Sequence, residues 1–139
     1  MDMAEHRARC QCGVVQVEAS ADPEFVVVCN CKACQRRTGS PFGEGAYFKR
    51  SDLMVSGDTW KWVRKADSGR ELVNHFCPAC GTTVFWTLEM RPDHLGVAAG
   101  CFEGPLPKPV RAIWASEKHD WVEFPEDMPV LDGASPEPK

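Results

Sequence analysis

Cysteine spacing constrains this chain more than any other feature. Of its eight cysteines, seven fall in three tight groups: Cys10-Gln11-Cys12, Cys29-Asn30-Cys31-Lys32-Ala33-Cys34 and Cys77-Pro78-Ala79-Cys80. So many cysteines in a short chain mean either a disulfide framework or metal ligation, and spacing and compartment decide between them. Joining the two partners of a C-x-C pair would close a small, strained ring. The segment from Met1 to Cys12 is charged and lacks the apolar run of a secretory signal, so the expected location is cytoplasmic, where thiolates stay reduced and bind metal. Metal is the working expectation.

The rest of the composition bounds the partners. A chain of 139 residues with 43% hydrophobic content fits one domain with a modest core. A net charge of −4 gives no long-range attraction for phosphate backbones, which disfavours nucleic acid as a partner. No stretch approaches the roughly 20 apolar residues that a membrane span needs.

Residues 14–19, 25–28, 46–48, 60–63, 72–76 and 83–88 are rich in β-branched and aromatic side chains, with glycine and proline between them. Further strands are expected at 95–99, 112–115 and 121–124. No segment sustains a helical period, so the fold class is mainly β. The exception is a short helix over 32–38, just after the second cysteine cluster and stopped by Gly39. The zinc-binding domain is expected to span 1–124, and 125–139, acidic and proline-rich, to form a mobile tail.

Cys10 and Cys12, followed by Gly13, and Cys77 and Cys80, followed by Gly81, look like two metal knuckles brought together by the fold. Glycine after each pair suits the tight turn that aims backbone amides at the sulfurs. Four thiolates make a closed tetrahedron, the mark of structural zinc, although iron takes the same donors. Cys29, Cys31 and Cys34 supply three ligands within one bend. Catalytic zinc commonly keeps three protein ligands and leaves the fourth position open. The alternative is a second structural centre, completed by Cys101, His75 or His119. Cys101 otherwise reads as a packed, small hydrophobe or as a redox nucleophile, and His75 as a packing or supporting residue. Arg36 and Arg37 follow the three-cysteine cluster and suit either a carboxylate-bearing ligand or a solvated helix face. Trp60, Trp62, Trp86, Trp114 and Trp121 are candidates for the core or for a groove lining.

The order C-x-C-G, then C-x-C-x-x-C-Q-R-R-T-G-S-P-F, then F-C-x-x-C-G resembles the glutathione-dependent formaldehyde-activating enzyme family, which includes centromere-protein-V-like members. The resemblance runs from about Cys10 through Trp121. It implies a mainly β, Mss4-like arrangement of small antiparallel sheets. It also implies structural zinc on Cys10, Cys12, Cys77 and Cys80, and a second zinc on Cys29, Cys31 and Cys34. The implied activity is that of a carbon–sulfur lyase, joining glutathione and formaldehyde to give S-hydroxymethylglutathione or splitting it in reverse. Two rival readings stand beside it. One is a noncatalytic zinc module that binds a partner; the other is a thiol redox enzyme with Cys101 as its nucleophile.

Overall fold

The structure, a computed structural model, describes residues 5–136. Two β-sheets face each other. The smaller contains β1 (His6–Arg9), β2 (Gln16–Ala19) and β5 (Leu53–Ser56), in the order β1-β2-β5 and antiparallel throughout. The larger contains β3 (Phe25–Cys29), β4 (Gly43–Lys49), β6 (Trp60–Lys65), β7 (Glu71–Phe76), β8 (Thr83–Leu88), β9 (Arg91–Ala98) and β10 (Arg111–Ile113). Its order is β10-β3-β4-β9-β8-β7-β6, antiparallel except where β10 runs parallel to β3. The one α-helix among the described residues, α1 (Lys32–Thr38), leads from β3 toward β4.

The two faces of the large sheet have different fates, as the period of two along a strand requires. One face packs Val26, Ala46, Phe48, Phe85, Leu95 and Val97 against Ala8, Val15, Val17 and Ala19 of the smaller sheet and its approach. Each of these side chains is buried, and full burial of a Val or Phe contributes about 1.5–3 kcal/mol. The opposite face is not covered by a second sheet. It forms the floor of the cavity described below.

The expected strands over 25–28, 46–48, 60–63, 72–76, 83–88 and 95–99 all form, with shifted ends. The helix over 32–38 forms with the expected bounds: Cys31 caps its start, Gly39 closes it at φ 66°, and the Gly39 amide donates to the Gln35 carbonyl. β1 and β5 escape the sequence pattern, because short, charged or exposed edge strands carry little hydrophobic alternation. Residues 121–124 do not form a strand. Val122 and Phe124 pack without a ladder partner, and Trp121 is exposed.

The C-terminal segment also differs from the expectation of a mobile tail beginning at 125. Met128 is buried with Val28 and Ala112, beside Phe42 and Phe124. The Ala112 amide donates to the Pro129 carbonyl at 3.0 Å, Leu131 donates back to Ala112 at 2.9 Å, and Trp114 donates to Gly133 at 3.0 Å. These bonds give the short strand β10 a partner on its outer edge, which its three residues need. The last residues of the expected tail, 137–139, lie outside the described residues.

Candidate functional site

The first two cysteine pairs meet as expected. The sulfurs of Cys10, Cys12, Cys77 and Cys80 all lie within 4.8 Å of one another, with Cys10 to Cys12 and Cys12 to Cys77 both 3.6 Å apart. A tetrahedron with metal–sulfur bonds of about 2.3 Å has edges of about 3.8 Å, so the donor set fits one thiophilic ion. The turns provide the surrounding amides: Val15 N–H points at Cys10 Sγ at 3.3 Å, and Gly13 and Gly81 adopt φ of 84° and 80°. A hydrogen bond with the Thr82 hydroxyl, 3.3 Å away, holds the Cys80 thiol down to about 5. The pairs are separated by more than sixty residues of chain, so an ion here ties the turn after β1 to the turn after β7.

Cys29, Cys31 and Cys34 form the second cluster, again with all sulfurs within 4.8 Å. Cys29 ends β3, Cys31 is the helix cap, and Cys34 lies in the first turn. The Cys34 amide donates to Cys31 Sγ at 3.4 Å, so the bond that starts the helix also orients the thiol. Asn30, fully buried between two of the cysteines, donates through Nδ2 to the Ile113 carbonyl at 2.9 Å. Gln35 Nε2 donates to the Asn30 carbonyl at 2.8 Å and to the Glu117 carbonyl at 3.0 Å. The bend is therefore fixed from both sides. Left to protons alone, the three thiols share charge unevenly: hydrogen bonds from Cys29 and Cys34 hold Cys31 far below the usual thiol range, and the bond to Cys31 pushes Cys29 up. A bound cation would allow all three to ionise.

No fourth side chain completes this cluster among the described residues. His75 is stacked on Phe85 with ring centroids 4.4 Å apart, and its Nδ1 is hydrogen-bonded to Thr59. His119 meets Gln35 instead, with Nε2 to Oε1 at 3.2 Å. Cys101 lies in a separate depression with Cys80, Thr38 and Glu44. Burial pushes its thiol up, the opposite of what activates a redox nucleophile.

The three-cysteine cluster opens into a cavity of about 560 Å³, within the usual range for small-molecule sites. Its floor is a row of cross-strand neighbours running Trp62, Asn74, Trp86, Gly96, Tyr47. Gly45 and Gly96 leave bare backbone under the Trp86 indole, where an added Cβ would stand 2.7 Å and 2.2 Å from it. Trp86 Nε1 donates to the Tyr47 phenol oxygen at 3.3 Å. Burial pushes Tyr47 up to about 12, so the phenol stays protonated, and its own O–H has no acceptor among the described residues. Of the two arginines after the cluster, Arg36 is exposed at the rim. Arg37 lies over Trp86, 4.5 Å from the ring centroid, in space that a Cβ on Gly43 would fill. Arg64 also lines the cavity, and its charge helps to lower the Cys31 thiol. Neither Arg37 nor Arg64 has a carboxylate partner among the described residues.

The cysteines are legible from spacing. Tyr47, Arg64 and Asn74 are not, since each reads as an ordinary strand residue until the sheet aligns them. The five tryptophans divide: Trp86 is buried, Trp62 and Trp114 line the cavity, and Trp60 and Trp121 are exposed.

A mainly β domain with one saturated thiol cluster and a second, three-thiol cluster opening on a cavity is a metal-binding architecture with room for a ligand. The chain belongs to the glutathione-dependent formaldehyde-activating enzyme family, whose model matches residues 5–121. It is 22% identical over 102 residues to an uncharacterized lyase of Schizosaccharomyces pombe, covering 73% of this chain and 72% of that protein. Its fold is similar to the crystal structure of a Rhodobacter sphaeroides protein, with a TM-score of 0.56 and 24% identity over 73% of this chain and 91% of that one. Among the described residues, no helix is long and apolar enough to cross a membrane.

Proposed function

We propose that this chain is a zinc-dependent carbon–sulfur lyase acting on the adduct of glutathione, or a similar thiol, with a small aldehyde. The observation that carries the reading is the three-thiol cluster of Cys29, Cys31 and Cys34, with no fourth protein ligand among the described residues, at the wall of a cavity large enough for such a thiol. Zinc is the ion that best suits all seven clustered thiolates, and a reducing, cytoplasmic setting keeps them available.

The reaction makes few demands. The thiol sulfur donates an electron pair to the carbonyl carbon, the C=O π pair moves to oxygen, and the thiol proton ends on that oxygen; cleavage is the reverse. Zinc held by Cys29, Cys31 and Cys34 would supply Lewis acidity toward the sulfur or the carbonyl oxygen. The chain's own contribution is placement. Arg37, its guanidinium over the Trp86 ring at 4.5 Å from the centroid, presents charge to a ligand carboxylate. Tyr47 keeps a proton available to an oxygen on the cavity floor, and Trp86 fixes the phenol's orientation.

The test is the rate of exchange between ¹³C-labelled formaldehyde and its glutathione adduct, followed by NMR with zinc-loaded, reduced protein. The expected result is saturable acceleration that Cys31→Ser loses while keeping its fold. Acceleration undiminished in that variant would contradict the assignment.

A further inference from the structure

β6 is the last strand of the larger sheet and is bonded on one side only, to β7. The Ala66 amide donates to the Arg70 carbonyl and the Ala66 carbonyl accepts from the Gly69 amide, so both backbone groups of Ala66 point toward β7. In an antiparallel pair this direction alternates along the strand. Trp60, Trp62 and Arg64 therefore bond to β7. The N–H and C=O groups of Lys61, Val63 and Lys65 point outward, with no strand beside them among the described residues. Side chains alternate as well: Trp62 and Arg64 line the cavity and Trp60 meets Phe76 edge-on, while Lys61, Val63 and Lys65 project from the other face.

Proteins usually blunt such an edge with charge, proline, a bulge or a cover. This one has no proline and pairs with β7 without a register shift. It exposes Trp60, Trp62 and Val63 at 64%, 58% and 51%. Its three cations do not bar every pairing; they select one. A strand that pairs antiparallel with its own copy closes a two-fold dimer, and only registers that bring outward groups face to face form bonds. Centred on Lys61, the pairing opposes Lys61 to itself; centred on Val63, it opposes Lys61 to Lys65; centred on Arg64, it opposes Arg64 to itself. Like charges directly opposite destabilise a sheet. Centred on Trp60, the pairing runs off the start of the strand. Centred on Trp62, it opposes Lys61 to Val63 twice and sets each Trp60 beside an Arg64, a neighbour that aromatic faces favour. Trp60 and Trp62 of two copies together expose roughly 400–600 Å², about half of the roughly 1,000 Å² that a specific interface needs, and Val63 and the lysine stems add to it. We infer that β6 pairs with β6 of a second copy in this register, joining the two large sheets with Trp62 at the two-fold axis. Each cavity then gains the second copy's Trp62 on its outer wall.

Sedimentation velocity of the zinc-loaded, reduced full chain tests this. Wild type is expected to sediment as a dimer, at twice the 15.5 kDa of the chain, at concentrations on the order of 10 µM. Val63→Pro removes an outward N–H without touching a bond to β7, a change that edge strands tolerate. Trp60→Lys sets a cation opposite Arg64 of the second copy. Each substitution is expected to raise the dissociation constant at least about tenfold. Circular dichroism and metal content report folding, and Trp60→Lys decides should the proline disturb it. A wild type that stays monomeric at concentrations on the order of 100 µM, which would leave this edge to a strand of another protein, would overturn the pairing. So would an assembly larger than a dimer, or a dimer that either folded variant leaves unaffected.

Discussion

The indole N–H of Trp86 reaches the phenol oxygen of Tyr47, 3.3 Å away, across a strand that has no side chain between them. Gly96 is the cross-strand partner of both residues. The absent Cβ is therefore what permits the contact, and the cavity floor depends on a residue that touches no ligand.

Gly96→Ala would place a methyl carbon 2.2 Å from Trp86 Nε1, and a ring held between sheet and guanidinium has little freedom to yield. Overpacking of this kind costs typically about 1–3 kcal/mol. The expected outcome is a lower urea midpoint at unchanged slope, with a change in tryptophan emission as the indole leaves its place. Tyr47→Phe should be milder, about 1 kcal/mol, since it removes only the hydrogen bond.

Met128, packed on Val28 and Ala112, makes the C-terminal segment part of the domain. Met128→Ala should destabilise the protein by about 2–5 kcal/mol. Truncation after Phe124 should cost at least as much, because β10 loses its bonds to residues 129 and 131 as well. Thermal denaturation of the three proteins side by side checks this; a truncated chain as stable as the full one would show that the segment contributes nothing.

The two thiol clusters should respond differently to substitution. Cys77→Ser opens the four-thiol cluster, which joins distant turns, and is expected to abolish cooperative unfolding, since structural zinc contributes an apparent 10–16 kcal/mol in small metal-dependent folds. Cys31→Ser alters a cluster contained within one bend and should leave a folded protein with one fewer tightly held ion. Metal analysis together with near-ultraviolet circular dichroism distinguishes the outcomes.

Stability at acid pH carries a contribution from Glu24. Its hydrogen bond to His94, helped by the charges of His94, Lys49 and Arg91, holds the carboxyl below its usual value. A carboxyl depressed on folding stabilises above its unfolded pKa of about 4.3, and the contribution is lost as pH falls through the lower folded value. Glu24 is partly exposed, so the effect is below about 1 kcal/mol. The difference in urea midpoint between wild type and Glu24→Gln should be present at pH 6 and shrink as pH falls below about 4; comparing the two proteins cancels any other effect of acid common to both.

How far the sequence can be read follows from the range over which each signal acts. The thiol clusters are local in sequence or marked by a repeated glycine, so Cys10, Cys12, Cys77 and Cys80 can be paired from spacing alone. The helix is legible because Gly39 stops it shortly after the second cysteine cluster. Asn74 and Tyr47 become site residues only through a register that crosses β7, β8, β9 and β4, and nothing near either residue in the chain announces it. The tail misleads for a related reason: its proline and acidic content reads as solvated, whereas Met128 alone supplies the apolar anchor.

The central claim is that Cys29, Cys31 and Cys34 form the ligand-binding end of the cavity. Calorimetric titration of glutathione into zinc-loaded, reduced protein, with Cys31→Ser alongside, tests it most directly. Saturable binding to wild type that the variant loses, with the four-thiol cluster still metallated, is the predicted result. Equal binding to both proteins, or binding to neither, would contradict it.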